Sequence, residues 1–265
     1  MQVISIANQK GGVGKTTTTI NLAAALANLG KKTLIIDLDP QGHASLGLSF
    51  HFLGSKSAKF TIADALLDAD KMKEAWIDLN IPNLSLCSSD ISLAVAEMKL
   101  AATGAKEFRL RNCIEKLPKG QFDLVIVDCP PTFGTLAINA MVASDFLIMP
   151  ISLSYFSLEG VNSFLQTLNF INKEVSSVIK HNTKIAGILL TFYNLHTCIS
   201  REIDSEINNT FSELTFSIKI PQNVSVNEAQ AEGKTIFAHN ASSKSAVAYQ
   251  GLAKEVIDRI KGGDR

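Results

Sequence analysis

Gln9-Lys10-Gly11-Gly12-Val13-Gly14-Lys15-Thr16-Thr17 follows directly on the short apolar run Val3-Ile4-Ser5-Ile6-Ala7. A buried strand that empties into glycines, then into Lys-Thr-Thr and a helix, has the order a phosphate-binding loop requires. Glycines let the backbone turn tightly, so that successive N–H groups converge on phosphate oxygens, and the following helix adds the positive end of its dipole. Lys15 is placed to pair with β/γ-phosphates, and the Thr16 hydroxyl to join the coordination of Mg²⁺.

Reading outward, Thr16 to Leu29 is rich in Ala and Leu and reads as a helix closed by Gly30. Lys32-Thr33-Leu34-Ile35-Ile36-Asp37-Leu38-Asp39 is a second buried strand, which completes a βαβ unit. Pro40 and Gly42 stop that strand, leaving Asp37 and Asp39 at its tip; carboxylates there serve either a turn or the positioning of Mg²⁺ or water. Phe122 to Asp128 is a continuous apolar run ending in a carboxylate, followed by Cys129-Pro130-Pro131. A strand buried on both faces delivers such an Asp to a metal shell.

Three details of these stretches resemble one family. The loop lacks Gly at position 9 and carries a second lysine, Lys10; D-x-D-P-Q-G follows the second strand; and D-x-P-P ends the third. Together they resemble the deviant Walker A, or ParA/MinD, group of P-loop ATPases, and the chain is similar to its ParA/Soj partitioning members from Val3 to about Lys261. The resemblance implies a P-loop α/β fold, a doubly wound and mostly parallel sheet with helices on both faces. It implies an ATPase using ATP and Mg²⁺: ATP held by residues Gly11, Gly12, Val13, Gly14, Lys15, Thr16 and Thr17, and Mg²⁺ held by Thr16 and Asp128, the latter through water. Asp39 would orient the attacking water, and Lys10 would reach across an ATP-dependent homodimer to the partner's nucleotide. Non-specific DNA of the nucleoid and a ParB-like stimulating protein are the implied partners, in the cytoplasm.

Residues 43–60 are small, polar and Ser-rich and suit a surface connection, and Thr61 is placed to cap a short helix over 62–67. Asn83–Cys87, Ser144–Pro150 and Ile185–Asn194 read as strands, and 92–100, 106–117 and 154–171 as helices. Ile220-Pro221-Gln222-Asn223-Val224 resembles the family's I-P-R-N-V, which implies Pro221 and Asn223 beside the adenine. Asn194 is implied there too, although a strand-ending Asn also serves a turn. Gln222 replaces the family's Arg and Gln230 the Pro of its E-A-P; both departures bear on DNA affinity.

One domain over 1–265 is expected, without the N-terminal helix-turn-helix region of the longer plasmid ParA class and without a leader. The 25 Lys/Arg balance the 25 Asp/Glu, so total charge argues for neither nucleic acid nor an acidic membrane. Arg201, Lys219, Lys234 and Lys244 are DNA-face candidates by position only. The four cysteines, without C-x-x-C spacing, read as reduced thiols of an intracellular protein. The tail, 243–261, is either an amphipathic membrane helix of the MinD kind or a last helix packed on the sheet. The second is favoured because aromatic anchors and a basic cluster are lacking. Beside the partitioning switch stand three alternatives: a membrane-surface ATPase, a protein-cargo-positioning ATPase, and a nucleotide-gated scaffold with negligible turnover.

Overall fold

Strand alternation organises the molecule. Successive side chains of a strand point to opposite faces. In the computed structural model, which describes residues 1–52, 58–154 and 157–262, this sorts each central strand between two cores. Strands β1 (Gln2–Ile6), β2 (Thr33–Asp37) and β5 (Leu124–Asp128) send Val3, Leu34, Ile36, Val125 and Val127 to one face. Ile4, Ile6, Ile35, Leu124 and Ile126 go to the other. With β3 (Ile77–Asp78), β4 (Leu84–Cys87), β6 (Phe146–Ser152) and β7 (Lys184–Thr191), they form one seven-stranded sheet in the order β3-β4-β2-β5-β1-β6-β7. Every pairing is parallel except β3 with β4.

Helix α1 (Lys15–Asn28) covers the second face, joined there by α9 (Val224–Ala231), α10 (Ile236–Asn240) and α11 (Lys244–Gly262). The first face is covered by α3 (Ile62–Leu67), α4 (Ser92–Ala101), α5 (Arg109–Glu115), α6 (Thr135–Ala143), α7 (Ser157–Ser176) and α8 (Cys198–Thr210). This is the doubly wound α/β arrangement expected from the sequence. Register matters for the site: Asp37 of β2 and Ile6 of β1 both pair with Asp128 of β5. The two carboxylates therefore end adjacent strands at one level, beside the turn that leaves β1.

Several boundaries differ from the sequence reading, each for a local reason. The strand expected to reach Asp39 ends at Asp37, because Asp39 turns back and its carbonyl accepts Gly42 N–H at 2.9 Å. The Ser-rich connection is folded where described: α2 (His43–Gly47) starts it, with Ala44 and Leu48 fully buried. Residues 53–57 of that stretch lie outside the described residues, as do 155 and 156 at the start of the expected helix over 154–171. Gly30, at φ 78°, closes α1 as expected, donating to Ala27 O at 2.9 Å.

The apolar stripe of the tail is core. Leu252, Val256 and Ile260 of α11 are buried with residues of α1, while Val247 is 61% exposed. No helix among the described residues is long and apolar enough to cross a membrane.

Candidate nucleotide site

The loop between β1 and α1 takes left-handed backbone at Gly12 (φ 73°) and Gly14 (φ 82°), where any side chain is strained. Gly14 opens α1, and that helix start has neither a side-chain cap nor an acidic residue in its first turn. The free N–H groups of a helix N-terminus are what an anion binds. The loop is pinned from the sheet. Thr191 at the end of β7 sets its hydroxyl 2.9 Å from Val13 O and 3.0 Å from Ile151 O, and Asn8 donates to Pro150 O at 2.7 Å. Val13 is itself buried, so its part is to anchor the loop.

A cavity of about 670 Å³ opens over the loop, lined by Gly11, Gly12, Gly14, Lys15, Thr16 and Thr17 and faced by Asp39 and Gln41. Lys15 is nearly buried and donates from Nζ to Lys10 O at 3.0 Å. Burial pulls its pKa down, opposed by the charges of Asp128, Cys129 and Asp39. Lys10 itself does not line this cavity; its Nζ donates to Ser154 Oγ at 2.7 Å, over the segment between β6 and α7.

Asp128 is fully buried and accepts the hydroxyls of Thr16 (2.8 Å) and Thr19 (2.9 Å). Burial, with the neighbouring charge of Asp37 next, pushes it up to about 8. Asp37 is also pushed upward by burial, although Ser45 donates to it from both N (2.8 Å) and Oγ (2.7 Å). Asp39 lies two residues on: its Oδ1 accepts Gln41 N at 2.9 Å, and its own N–H donates to Asp37 at 3.2 Å.

This donor set fits Mg²⁺. The buried Asp128 carboxylate is already bonded to the loop hydroxyl, and the neighbouring charges of Asp37 and Asp39 favour an added cation beside it. No group of three or more His, Cys, Asp or Glu among the described residues could cage a metal alone. Mg²⁺ suits that, since it keeps waters and takes substrate phosphates with one or two protein oxygens.

A second, apolar cavity of about 100 Å³ adjoins the first through Gly14, Thr17 and Phe192. Pro221 and Asn223, the residues expected beside the adenine, line it with Ile220, Val226 and Tyr249. Asn194 does not. Its side chain accepts His196 N at 3.0 Å and closes a turn, and it borders a separate depression with Tyr193 and His196. The sequence reading missed Phe192, which is exposed and holds φ 49° at the strand end, against Gly14. Gln230, read in the sequence only as a departure bearing on DNA affinity, lines the larger cavity and donates from Nε2 to Thr17 Oγ1 at 2.8 Å.

The proposed DNA-face cations are largely engaged. Lys219 bonds Asp204 (2.8 Å) and Tyr193 Oη (3.1 Å), Lys234 bonds Glu232 (2.9 Å), and Arg201 donates to Leu195 O (3.1 Å). Lys244 is exposed at the start of α11.

Glycine loop, uncapped helix and strand-end carboxylates at the carboxyl edge of a parallel sheet define a P-loop nucleotide-binding fold. The family model AAA_31, described as "AAA domain", matches residues 1–185. The sporulation initiation inhibitor protein Soj of Bacillus subtilis is 36% identical over 255 residues, covering 96% of this chain and 98% of that protein. The chromosome partitioning protein ParA of Caulobacter vibrioides is 35% identical, covering 98% of this chain and 95% of its own. Among solved structures, cobyrinic acid a,c-diamide synthase of Mycobacterium smegmatis with bound ATP analog and magnesium superposes at a TM-score of 0.78. It is 29% identical, with 99% of this chain and 97% of that chain covered. The chain belongs to the ParA/Soj family of chromosome-partitioning proteins.

Proposed function

We propose that the chain is an ATP-dependent dimerising switch for DNA segregation. The observation that carries this reading is the convergence of Lys15, Thr16, Asp39 and Asp128 around one uncapped helix start, in a chain 36% identical to Soj. ATP lies with its phosphates over residues Gly11, Gly12, Gly14, Lys15, Thr16 and Thr17 and its base in the apolar cavity beside Pro221 and Asn223. Lys15 binds the β/γ-phosphates. Thr16 and Asp128, the latter through water, would hold Mg²⁺, which would neutralise charge on the phosphates. Asp39 orients the water that attacks the γ-phosphate.

Lys10 supplies the switch. Its ammonium lies outside the chain's own phosphate cavity and reaches the nucleotide of a second copy, so the charge balance of the dimer depends on the triphosphate. The ATP dimer binds nucleoid DNA without sequence preference, in the cytoplasm. Hydrolysis, slow until a ParB-like protein stimulates it, releases the dimer. The membrane-surface alternative loses its best support because the stripe of α11 is spent on α1.

Light scattering with ATP·Mg²⁺, ADP·Mg²⁺ and neither tests the switch. The expected result is a dimer with ATP alone; a mass independent of nucleotide would overturn it.

A further inference from the structure

The two cavities meet at Gly14, Thr17 and Phe192, the residues common to both walls. A nucleotide with its base in the apolar cavity and its phosphates over the loop must lay its sugar across this junction. Gln230, half-buried in the last turn of α9, lines the larger cavity here and donates from Nε2 to Thr17 Oγ1 at 2.8 Å. That bond spends the amide end of the side chain and leaves the carbonyl Oε1, a good acceptor for a sugar hydroxyl. Nearby, Asn223 has already committed its side-chain oxygen to Ser225 N at 3.0 Å.

The position is held from several sides. Asn223 caps α9 at its start, and beyond its end Ile236 N–H donates to Asn21 Oδ1 of α1 at 2.8 Å. Thr235 N–H donates to His51 Nε2 at 3.1 Å. A carboxamide fixed this way needs little reordering to accept a hydroxyl, which is what makes one hydrogen bond discriminate.

We propose that Gln230 is a specificity-determining residue that reads a ribose hydroxyl of the bound nucleotide through its side-chain carbonyl. The inference rests on the ATP reading above and deepens it, by naming the residue that distinguishes ATP from its deoxy analogues.

Calorimetric titration of the full chain with ATP, 2′-deoxyATP and 3′-deoxyATP, each with Mg²⁺, tests it. Wild type should bind one of the deoxy analogues about tenfold more weakly than ATP, the value of one hydrogen bond. Gln230→Leu and Gln230→Met, two variants that remove the acceptor, should bring that ratio to within about twofold. Equal affinity of wild type for all three nucleotides overturns the proposal while leaving ATP binding standing. So does a variant that weakens all three alike and keeps the ratio, since that marks a mere tie between α9 and α1. No binding of any of them removes the ATP reading and this inference with it.

Discussion

Asp37 and Asp39 stand two residues apart and their surroundings divide the work between them. Asp37 is fully buried, and it accepts three hydrogen bonds, from Asp39 N, Ser45 N and Ser45 Oγ. It thus shapes the turn rather than meeting a ligand. Asp39 faces the phosphate cavity. Asp39→Ala should therefore cut ATP turnover by about 100-fold or more while the ATP dimer persists, because water is no longer oriented. Phosphate release at the wild-type rate would move that role to another residue. Lys15→Ala removes the lysine proposed to bind the phosphates and should abolish measurable ATP binding; unchanged affinity by calorimetry contradicts the loop assignment. His51 supplies a pH dependence of folding. Burial first, then the charge of Lys234, holds its pKa below 6.5, and its ring nitrogen accepts Thr235 N–H only when neutral. The unfolded chain takes up this proton at higher pH than the folded one. The contribution is therefore complete above about pH 6.5 and is lost as pH falls from there through the lower folded value. Thermal unfolding at about pH 7.5 and about pH 5.5 should show a smaller loss of Tm in His51→Asn than in wild type. Equal losses in the two proteins contradict this.

At the scale of elements, what the sequence disclosed depended on how many faces an element buries. β2 and β5 are buried on both sides, so their apolar runs are continuous; β5 ends visibly at Asp128, whereas Leu38 prolongs the run of β2 and hid its end at Asp37. The loop glycines were equally legible, because a left-handed backbone at Gly12 and Gly14 restricts the residue type. Helix α2 was not: five residues are too short to show a period, and what organises it is Ser45 bonding Asp37, a contact eight residues back. The place of Gln230 was not legible for a related reason, as it meets Thr17 across 213 residues of chain and no local pattern encodes that. Asn194 was ambiguous in the sequence, and the local turn took its side chain. The tail carries a stability consequence. Leu252 is fully buried in the core shared with α1, so Leu252→Ala should cost about 2–5 kcal/mol in urea unfolding. A helix held in reserve for a lipid surface predicts a cost near zero.

For the whole molecule, formal charge is zero, and the cations first considered for a DNA face are largely paired on the monomer. In the proposed switch, DNA affinity comes from the two-fold assembly, which doubles each exposed cation and sets the copies on one surface. Under that proposal, DNA binding is tied to the nucleotide through Lys10. Lys10→Ala should retain much of the ATP affinity yet remain a monomer by light scattering, and an intact ATP dimer would exclude the cross-subunit contact. The most direct test of the switch is DNA co-sedimentation of Asp39→Ala protein with ATP, ADP and no nucleotide, at low and high salt. Binding only with ATP, indifferent to sequence and lost at high salt, is the predicted result. Absence of binding in every nucleotide state, or binding that ignores the nucleotide, would contradict a DNA-segregation switch and turn attention to a nucleotide-gated protein scaffold.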